Sequence, residues 1–259
     1  MPDLDKLGRR IWDARNNGTV LSRDAVAEVA ERNISYKVQA AAAAASGLTR
    51  VGWKIAATSE MAQELLGMDG PSIGPVFKEH LYKPGDTLPA RTEHGSAIEC
   101  EIAFRMGADL PDDHIVSFED LLEATADAFI AVELVGCRFE GGFKGAGISV
   151  CISDFSFNGG LVCGPDIPGW MDMYLATVGA EITVNGEKGN AGKGDAVLGN
   201  PAFALQWAAT EAYTIGMPLK KGDIVSTGTM TGVTPVKPGD EVMCDFGDLG
   251  QIPLTFAAA

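Results

Sequence analysis

Between Ser96 and Arg105 the chain alternates, with Ile98, Cys100, Ile102 and Phe104 on one side of a two-residue period and Ala97, Glu99, Glu101, Ala103 and Arg105 on the other. That pattern predicts a β-strand. Upstream the period changes to that of a helix: Leu4, Leu7, Ile11 and Trp12 predict one over residues 4–16, stopped by Asn16-Asn17-Gly18. Ser22 is a suitable cap for a second helix, with Asp24 in its first turn and Val26, Val29 and Ala30 along it. A third, Tyr36 to Ala45, is so rich in alanine that it predicts close packing against another element, and Gly47 ends it. Arg50 to Ala56 reads as a buried strand carrying Lys54, and Thr58 to Leu66 as a short helix ending at Gly67. A loop punctuated by Gly and Pro follows, from Asp69 to Pro75.

From about residue 76 the pattern is mainly that of strands. Turn signals at Lys83-Pro84-Gly85-Asp86, Lys221-Gly222-Asp223 and Lys237-Pro238-Gly239-Asp240 each lead into an apolar segment. The flanks of the two K-P-G-D copies do not match, so they are not an internal repeat. Phe118 to Ile130 has a helical pattern, Ala180 to Val184 with Asn185-Gly186 predicts a hairpin, and Ala202 to Tyr213 predicts a helix. The expected class is α+β: residues 1–70, including the Lys54 strand, form a helical cap, and 71–259 form a β-rich body.

Composition narrows the functional classes. A net charge of −15 on 259 residues disfavours nucleic acid and anionic lipid as partners. No apolar run approaches the length of a membrane span, and the first residues lack the basic and apolar regions of a signal peptide. The five cysteines are irregularly spaced, mostly in apolar strand-like runs, which suits reduced thiols in a cytoplasm better than a disulfide framework.

The candidate chemistry lies on the polar face of the first strand. Glu99 and Glu101 stand side by side, roughly 6.6–7 Å apart at the backbone. A solvated strand face is the plain reading of such a pair. The small flanking residues Ala97 and Ala103, which leave room, favour a bound cation instead. Glu133, embedded in Ala126 to Gly136, needs a partner, because an unpaired charge among Phe, Ile, Val and Leu costs several kcal/mol. A divalent ion shared by Glu99, Glu101 and Glu133 supplies one. The all-carboxylate set suits a hard ion, Mg²⁺ or Mn²⁺, since no His or Cys sits at zinc-ligand spacing and His94 reads as a surface turn residue. Lys54 is either paired, functional, or an edge-strand lysine reaching for solvent. Thr227-Gly228-Thr229-Met230-Thr231-Gly232 is either a Thr-rich strand or a place where N–H and O–H groups converge on an anion. No Gly-Lys-Ser/Thr follows it, so it is not a Walker loop.

The E-x-E pair with Glu133 some thirty residues on resembles the fumarylacetoacetate hydrolase superfamily, within it the branch of 2-oxopent-4-enoate hydratases and 4-oxalocrotonate decarboxylases. Tyr36-Lys37-Val38-Gln39, Val51 to Ile55, Gly67 to Phe77 and the Thr227 to Gly232 run extend the resemblance nearly end to end. It implies the fold of that family's C-terminal domain, a metal-binding catalytic body of mixed, curved sheets, and a divalent-metal hydro-lyase of aromatic catabolism. The implied reaction takes a 2-hydroxy-2,4-dienoate to a 4-hydroxy-2-oxo acid, with decarboxylation of a 4-oxalocrotonate-type acid as the alternative. Acylpyruvate hydrolysis comes third, because residues 57–75 lack the histidine of the His–Glu pair used by relatives that hydrolyse. A non-enzymatic acidic binding module is the remaining alternative.

The resemblance places Lys54 in the active site and the 67–77 segment beside the pocket as a mobile piece. It puts Asp154 and Asn158 by the metal pocket as substrate-binding residues, and Thr227, Thr229 and Thr231 on the substrate carboxylate. Ser72 stands where many relatives carry an acid/base Asp, so Asp69, Glu64 or Glu60 is expected to move protons in its stead. The expected partners are a small 2-oxo acid and further copies of the chain.

Overall fold

The computed structural model describes residues 3–259. Helix α1 (Leu4–Asn17) starts where the Asp3 side chain accepts the Lys6 amide and ends at Gly18, whose φ is 68°. It lies against α2 (Arg32–Ser46), and their closeness depends on missing side chains. A Cβ on Gly8 would come 2.5 Å from the Ala42 backbone nitrogen, so the alanines of α2 mark where α1 crosses. The helix expected after Ser22 is a single 3₁₀ turn, Arg23–Val26. The Arg23 guanidinium donates to the carbonyls of Glu140, Gly142, Lys144 and Gly145, which ties this turn to a distant loop.

Strand β1 (Arg50–Ala56), helix α3 (Glu60–Leu66) and strand β2 (Ser72–Phe77) follow. The expected loop therefore ends early. Residues 72–77 are buried and pair antiparallel with β1, Ser72 opposite Ala56. Next come β3 (Leu81–Tyr82), β4 (Thr87–Ala90) and the long β5 (Ala97–Met106). His94, expected at the surface, is 6% exposed, with Nε2 against the Thr19 carbonyl at 2.9 Å.

Helix α4 (Phe118–Glu123) is half the length expected, because β6 (Thr125–Val135) starts at once. Residues 128, 130, 132 and 134 alternate into the core with those of β5, and ten β5 residues find partners on β6. That pairing overrides the local helical pattern. The rest is α5 (Gly147–Ser153), β7 (Asn158–Asp166), the hairpin β8 (Gly179–Val184) and β9 (Glu187–Lys193), α6 (Pro201–Thr214), β10 (Ile224–Ser226), β11 (Thr234–Pro235), β12 (Glu241–Asp245) and β13 (Gln251–Ala258).

Two sheets result. One runs β2-β1-β10-β5-β6-β7-β3, with β11 also on β5; the other runs β4-β13-β12-β8-β9. The main core lies between them: Ile98, Cys100, Ile102 and Phe104 of β5 join Ile182, Val242, Cys244, Ile252 and Leu254 of the second sheet and Leu205 of α6. The first sheet curls until β2 approaches β7. Its inner face holds a small apolar cluster, Val76, Ala103, Phe129, Ala131, Leu161 and Ile224. The glutamate face of β5 is on that inner side. β1 lies between β2 and β10, so Lys54 shares a sheet with the glutamates, and the expected boundary at residue 70 falls between two paired strands.

Candidate metal centre and active site

Strand alternation puts Glu99 and Glu101 on one face of β5, and antiparallel register sets Glu133 of β6 directly opposite Glu99. One carboxylate oxygen from each lies within 4.8 Å of the others, and all three residues are buried. On Glu101 and Glu133 one oxygen each is tied down by hydrogen bonds. Glu101 Oε2 accepts from Ser226 Oγ at 2.5 Å and from the Gly228 amide at 2.9 Å, and Glu133 Oε1 accepts from Asn158 Nδ2 at 2.9 Å. Glu101 Oε1 is buried with no hydrogen-bond partner among the described residues.

Lys54 supplies one positive charge. Its Nζ is 3.0 Å from Glu133 Oε2 and donates to the Ser156 carbonyl at 2.9 Å. Burial alone would lower its pKa, but the attraction of Glu133, Glu99 and Glu101 outweighs that and raises it, so the ammonium keeps its proton. The carboxyls are pushed the other way from their usual range. Burial raises Glu99 to about 7 against the pull of Lys54, and burial with repulsion from Glu133 and Glu99 holds Glu101 well above its ordinary value. Burial raises Glu133 despite Lys54. Fully ionised, the three carboxylates against one ammonium would leave two negative charges uncompensated, and the raised values show the site resisting that state without a cation. An all-oxygen set with an orphaned buried oxygen fits a hard divalent cation.

The turn that aims Ser156 at Lys54 is strained. Phe155, Ser156 and Phe157 have φ of 57°, 49° and 67°, in the left-handed region that costs roughly 1–2 kcal/mol per residue for side chains other than glycine. Packing and polar contacts hold it. Phe155 stacks edge-on to Phe77, and Phe157 edge-on to Phe143. Gly74 of β2 admits the turn, since a Cβ there would fall 1.9 Å from the Phe155 carbonyl oxygen.

Beside Glu99 and Lys54 opens a cavity of ≈ 780 Å³. Lys54, Glu99, Thr229 and Thr231 line its polar end; Met61, Ala62, Leu65 and Leu66 of α3, with Phe143 and Phe157, make an apolar wall. Thr229 Oγ1 is buried there without a partner among the described residues.

Several expected site residues lie elsewhere. Glu60 and Glu64 sit one helical turn apart on the solvent side of α3, turned away from the cavity. Asp69 is exposed, 3.6 Å from Arg32. Ser72 is fully buried behind Lys54, its Oγ 2.9 Å from Ser156 Oγ. Asp154 does not reach the cavity: Arg138 donates to it from Nε at 2.6 Å and from its backbone amide at 2.8 Å. Asn158 orients Glu133, and Thr227 Oγ1 donates to the Ile102 carbonyl at 2.7 Å. From the Thr-Gly run the Gly228 amide donates to Glu101, beside the hydroxyl of the preceding Ser226, while the Thr227 and Thr231 hydroxyls donate to the Ile102 and Gly232 carbonyls. Ser226 carried no sequence signal of its own, because its role depends on β10 pairing with β5.

A curled mixed sheet with buried carboxylates beside an open cavity defines a class, the enzymes that bind a divalent metal through acidic strand residues. Residues 58–257 match the family model described as fumarylacetoacetate (FAA) hydrolase C-terminal, and the chain is an enzyme of that family. It is 32% identical over 209 residues to the 2-keto-4-pentenoate hydratase of Paraburkholderia xenovorans (strain LB400), covering 80% of this chain and 76% of that one. It is 28% identical over 214 residues to the 2-hydroxyhexa-2,4-dienoate hydratase of Comamonas testosteroni, 82% of this chain and 80% of the other. The structure of 4-oxalocrotonate decarboxylase from Pseudomonas putida G7, complexed with magnesium and adipate, superposes with a TM-score of 0.86 at 25% identity, over 98% of this chain and 97% of that one. Among the described residues no helix is long and apolar enough to cross a membrane.

Proposed function

We propose that the enzyme hydrates a 2-hydroxy-2,4-dienoate, a tautomer of the 2-oxo-4-enoate, to a 4-hydroxy-2-oxo acid by way of the conjugated 2-oxo-3-enoate, using Mg²⁺ or Mn²⁺ held by Glu99, Glu101 and Glu133. The observation that carries this reading is the buried three-carboxylate cluster, with an orphaned oxygen on Glu101, whose member Glu99 lines the polar end of a largely apolar cavity. A bound divalent ion would supply Lewis acidity toward a 2-oxo acid's carboxylate and C2 oxygen.

The chain's own groups do the rest. The Lys54 ammonium, fixed between Glu133 and the Ser156 carbonyl, offers a proton donor where negative charge develops on the C2 oxygen. Thr229 Oγ1 and Thr231 hold the substrate's polar end. The wall of Met61, Leu65, Phe143 and Phe157 covers the diene tail and limits bulk water. In the reaction the enol proton is lost and C5 is protonated to give the enone; water then adds its oxygen to C4 and a proton to C3.

The second reading is decarboxylation of a 4-oxalocrotonate-type acid, favoured by Ser72, which offers no carboxylate where many hydratases carry one. Spectrophotometric assay of 2-hydroxypenta-2,4-dienoate and of 4-oxalocrotonate, each with Mg²⁺ or Mn²⁺, separates them. Hydration predicts loss of dienoate absorbance with formation of the 4-hydroxy-2-oxo acid, abolished by EDTA. Turnover of oxalocrotonate with carbon dioxide release, and none of the dienoate, would replace hydration by decarboxylation.

A further inference from the structure

A second cavity, ≈ 140 Å³, adjoins the C-terminal end of β6 and shares only Val135 with the first. Its charged side chains are all cationic, Arg15, Arg91 and Arg138, with His80 and His94 beside them and no Asp or Glu, while the last residue, Ala259, with its terminal carboxylate, also borders it. In a chain of net charge −15 such a lining is unexpected. Two of the arginines are buried, Arg15 at 8% exposure and Arg138 at 2%.

Their hydrogen bonds show what is left over. Arg15 donates to the carbonyls of Asn158 and Gly159 and meets His80 Nδ1 at 3.1 Å. Arg138 spends Nε and Nη2 on Asp154, on its carboxylate at 2.6 Å and its carbonyl at 2.7 Å. Arg138 Nη1 has no hydrogen-bond partner among the described residues. Gly136, also in the lining, leaves the approach to that nitrogen open: a Cβ there would stand 3.7 Å from it. Asp154 neutralises one guanidinium, and the other two have only neutral carbonyls and a histidine as hydrogen-bond partners.

The neighbouring groups register that surplus. Burial and the charge of Arg15 lower His80 to about 4, and burial and the charge of Arg138 lower His94 to about 4. Both imidazoles are therefore neutral near pH 7; His94 gives its one N–H to the Thr19 carbonyl, whereas His80, accepting from Arg15 at Nδ1, keeps an Nε2–H to donate. An anion would relieve the repulsion and pair with the spare guanidinium N–H groups. The size sets the class. One water needs about 10–15 Å³ on this measure, so the cavity has room for a small oxyanion and no nucleotide.

We infer that the pocket of Arg15, Arg91 and Arg138 binds a small oxyanion, a phosphate or a simple carboxylate, separately from the metal centre. The probe is inorganic phosphate, titrated calorimetrically into the metal-loaded enzyme at constant ionic strength, with chloride as control and acetate as a competing arm. Saturable phosphate binding that chloride does not reproduce is expected, and acetate competition assigns carboxylates to the same site. Arg91→Gln, at the rim, weakens binding by at least about tenfold, as loss of a charge-assisted contact should. Arg138→Lys keeps a cation for Asp154 but removes Nη1, and it weakens binding likewise. Glu101→Gln leaves phosphate affinity unchanged, which separates this site from the metal. Absence of saturable binding, equal affinity in folded Arg91→Gln, or loss of binding in Glu101→Gln would each overturn the inference.

Discussion

Lys54→Met tests how charge is balanced at the centre. The substitution conserves most of the side-chain volume and removes the ammonium that lies 3.0 Å from Glu133 Oε2. Lys54 is 2% exposed and Glu133 fully buried, so solvent cannot replace the lost partner. Removing one member of a buried ion pair costs roughly 3–5 kcal/mol. In the metal-free enzyme that cost should appear in urea denaturation as a lowered midpoint at unchanged slope. A divalent cation compensates the same carboxylates, so saturating Mg²⁺ should restore most of the loss, and metal affinity should not fall. Turnover should not recover. Loss of one preorganised donor to a developing oxyanion is worth about 10²–10³ in kcat. The assay pairs denaturation with and without Mg²⁺ with steady-state kinetics on 2-hydroxypenta-2,4-dienoate. A variant as stable as wild type without metal, or one within about threefold of its kcat when metal-loaded, refutes the reasoning.

Glu64→Gln and Asp69→Asn, alone or together, should leave kcat/KM within about twofold, because both side chains face solvent outside the cavity; a tenfold fall would show that they swing inward during turnover. His80 and His94 should both lower stability as pH falls from about 6.5 toward about 4, and the His94 share can be tested by itself. The unfolded histidine takes up its proton near 6.5 while the buried one, held down by burial and by Arg138, resists until about 4. That gap corresponds to at most about 3 kcal/mol, present above 6.5 and lost progressively below it. His94→Gln should flatten this limb of the curve, and an unchanged limb would assign it to other groups.

The local periods carried much of this architecture. The alternation around Ile98 to Phe104 placed both glutamates on one face, and the isolation of Glu133 in an apolar run pointed to a buried partner. Alanine in α2 signalled the close crossing that Gly8 permits. What the local pattern could not show depends on distant pairing. Phe118 to Ile130 has a helical period, yet half of it is strand because β5 is available opposite. Ser72 looked like part of a loop until β1 paired with it. Asp154 looked available for substrate, and only the folded chain shows Arg138 occupying it. The left-handed turn at Phe155 to Phe157 has no glycine to announce it; it is imposed by contacts with Phe77, Phe143 and Lys54.

The central claim is that Glu99, Glu101 and Glu133 hold one divalent ion, and calorimetric titration of Mg²⁺ or Mn²⁺ into wild type and Glu101→Gln tests it most directly. The structure predicts a single site in the wild type and affinity lower by at least about tenfold in the variant, which replaces an anionic ligand while remaining folded. Absence of a site in the wild type, or equal affinity in a folded Glu101→Gln, would contradict the account.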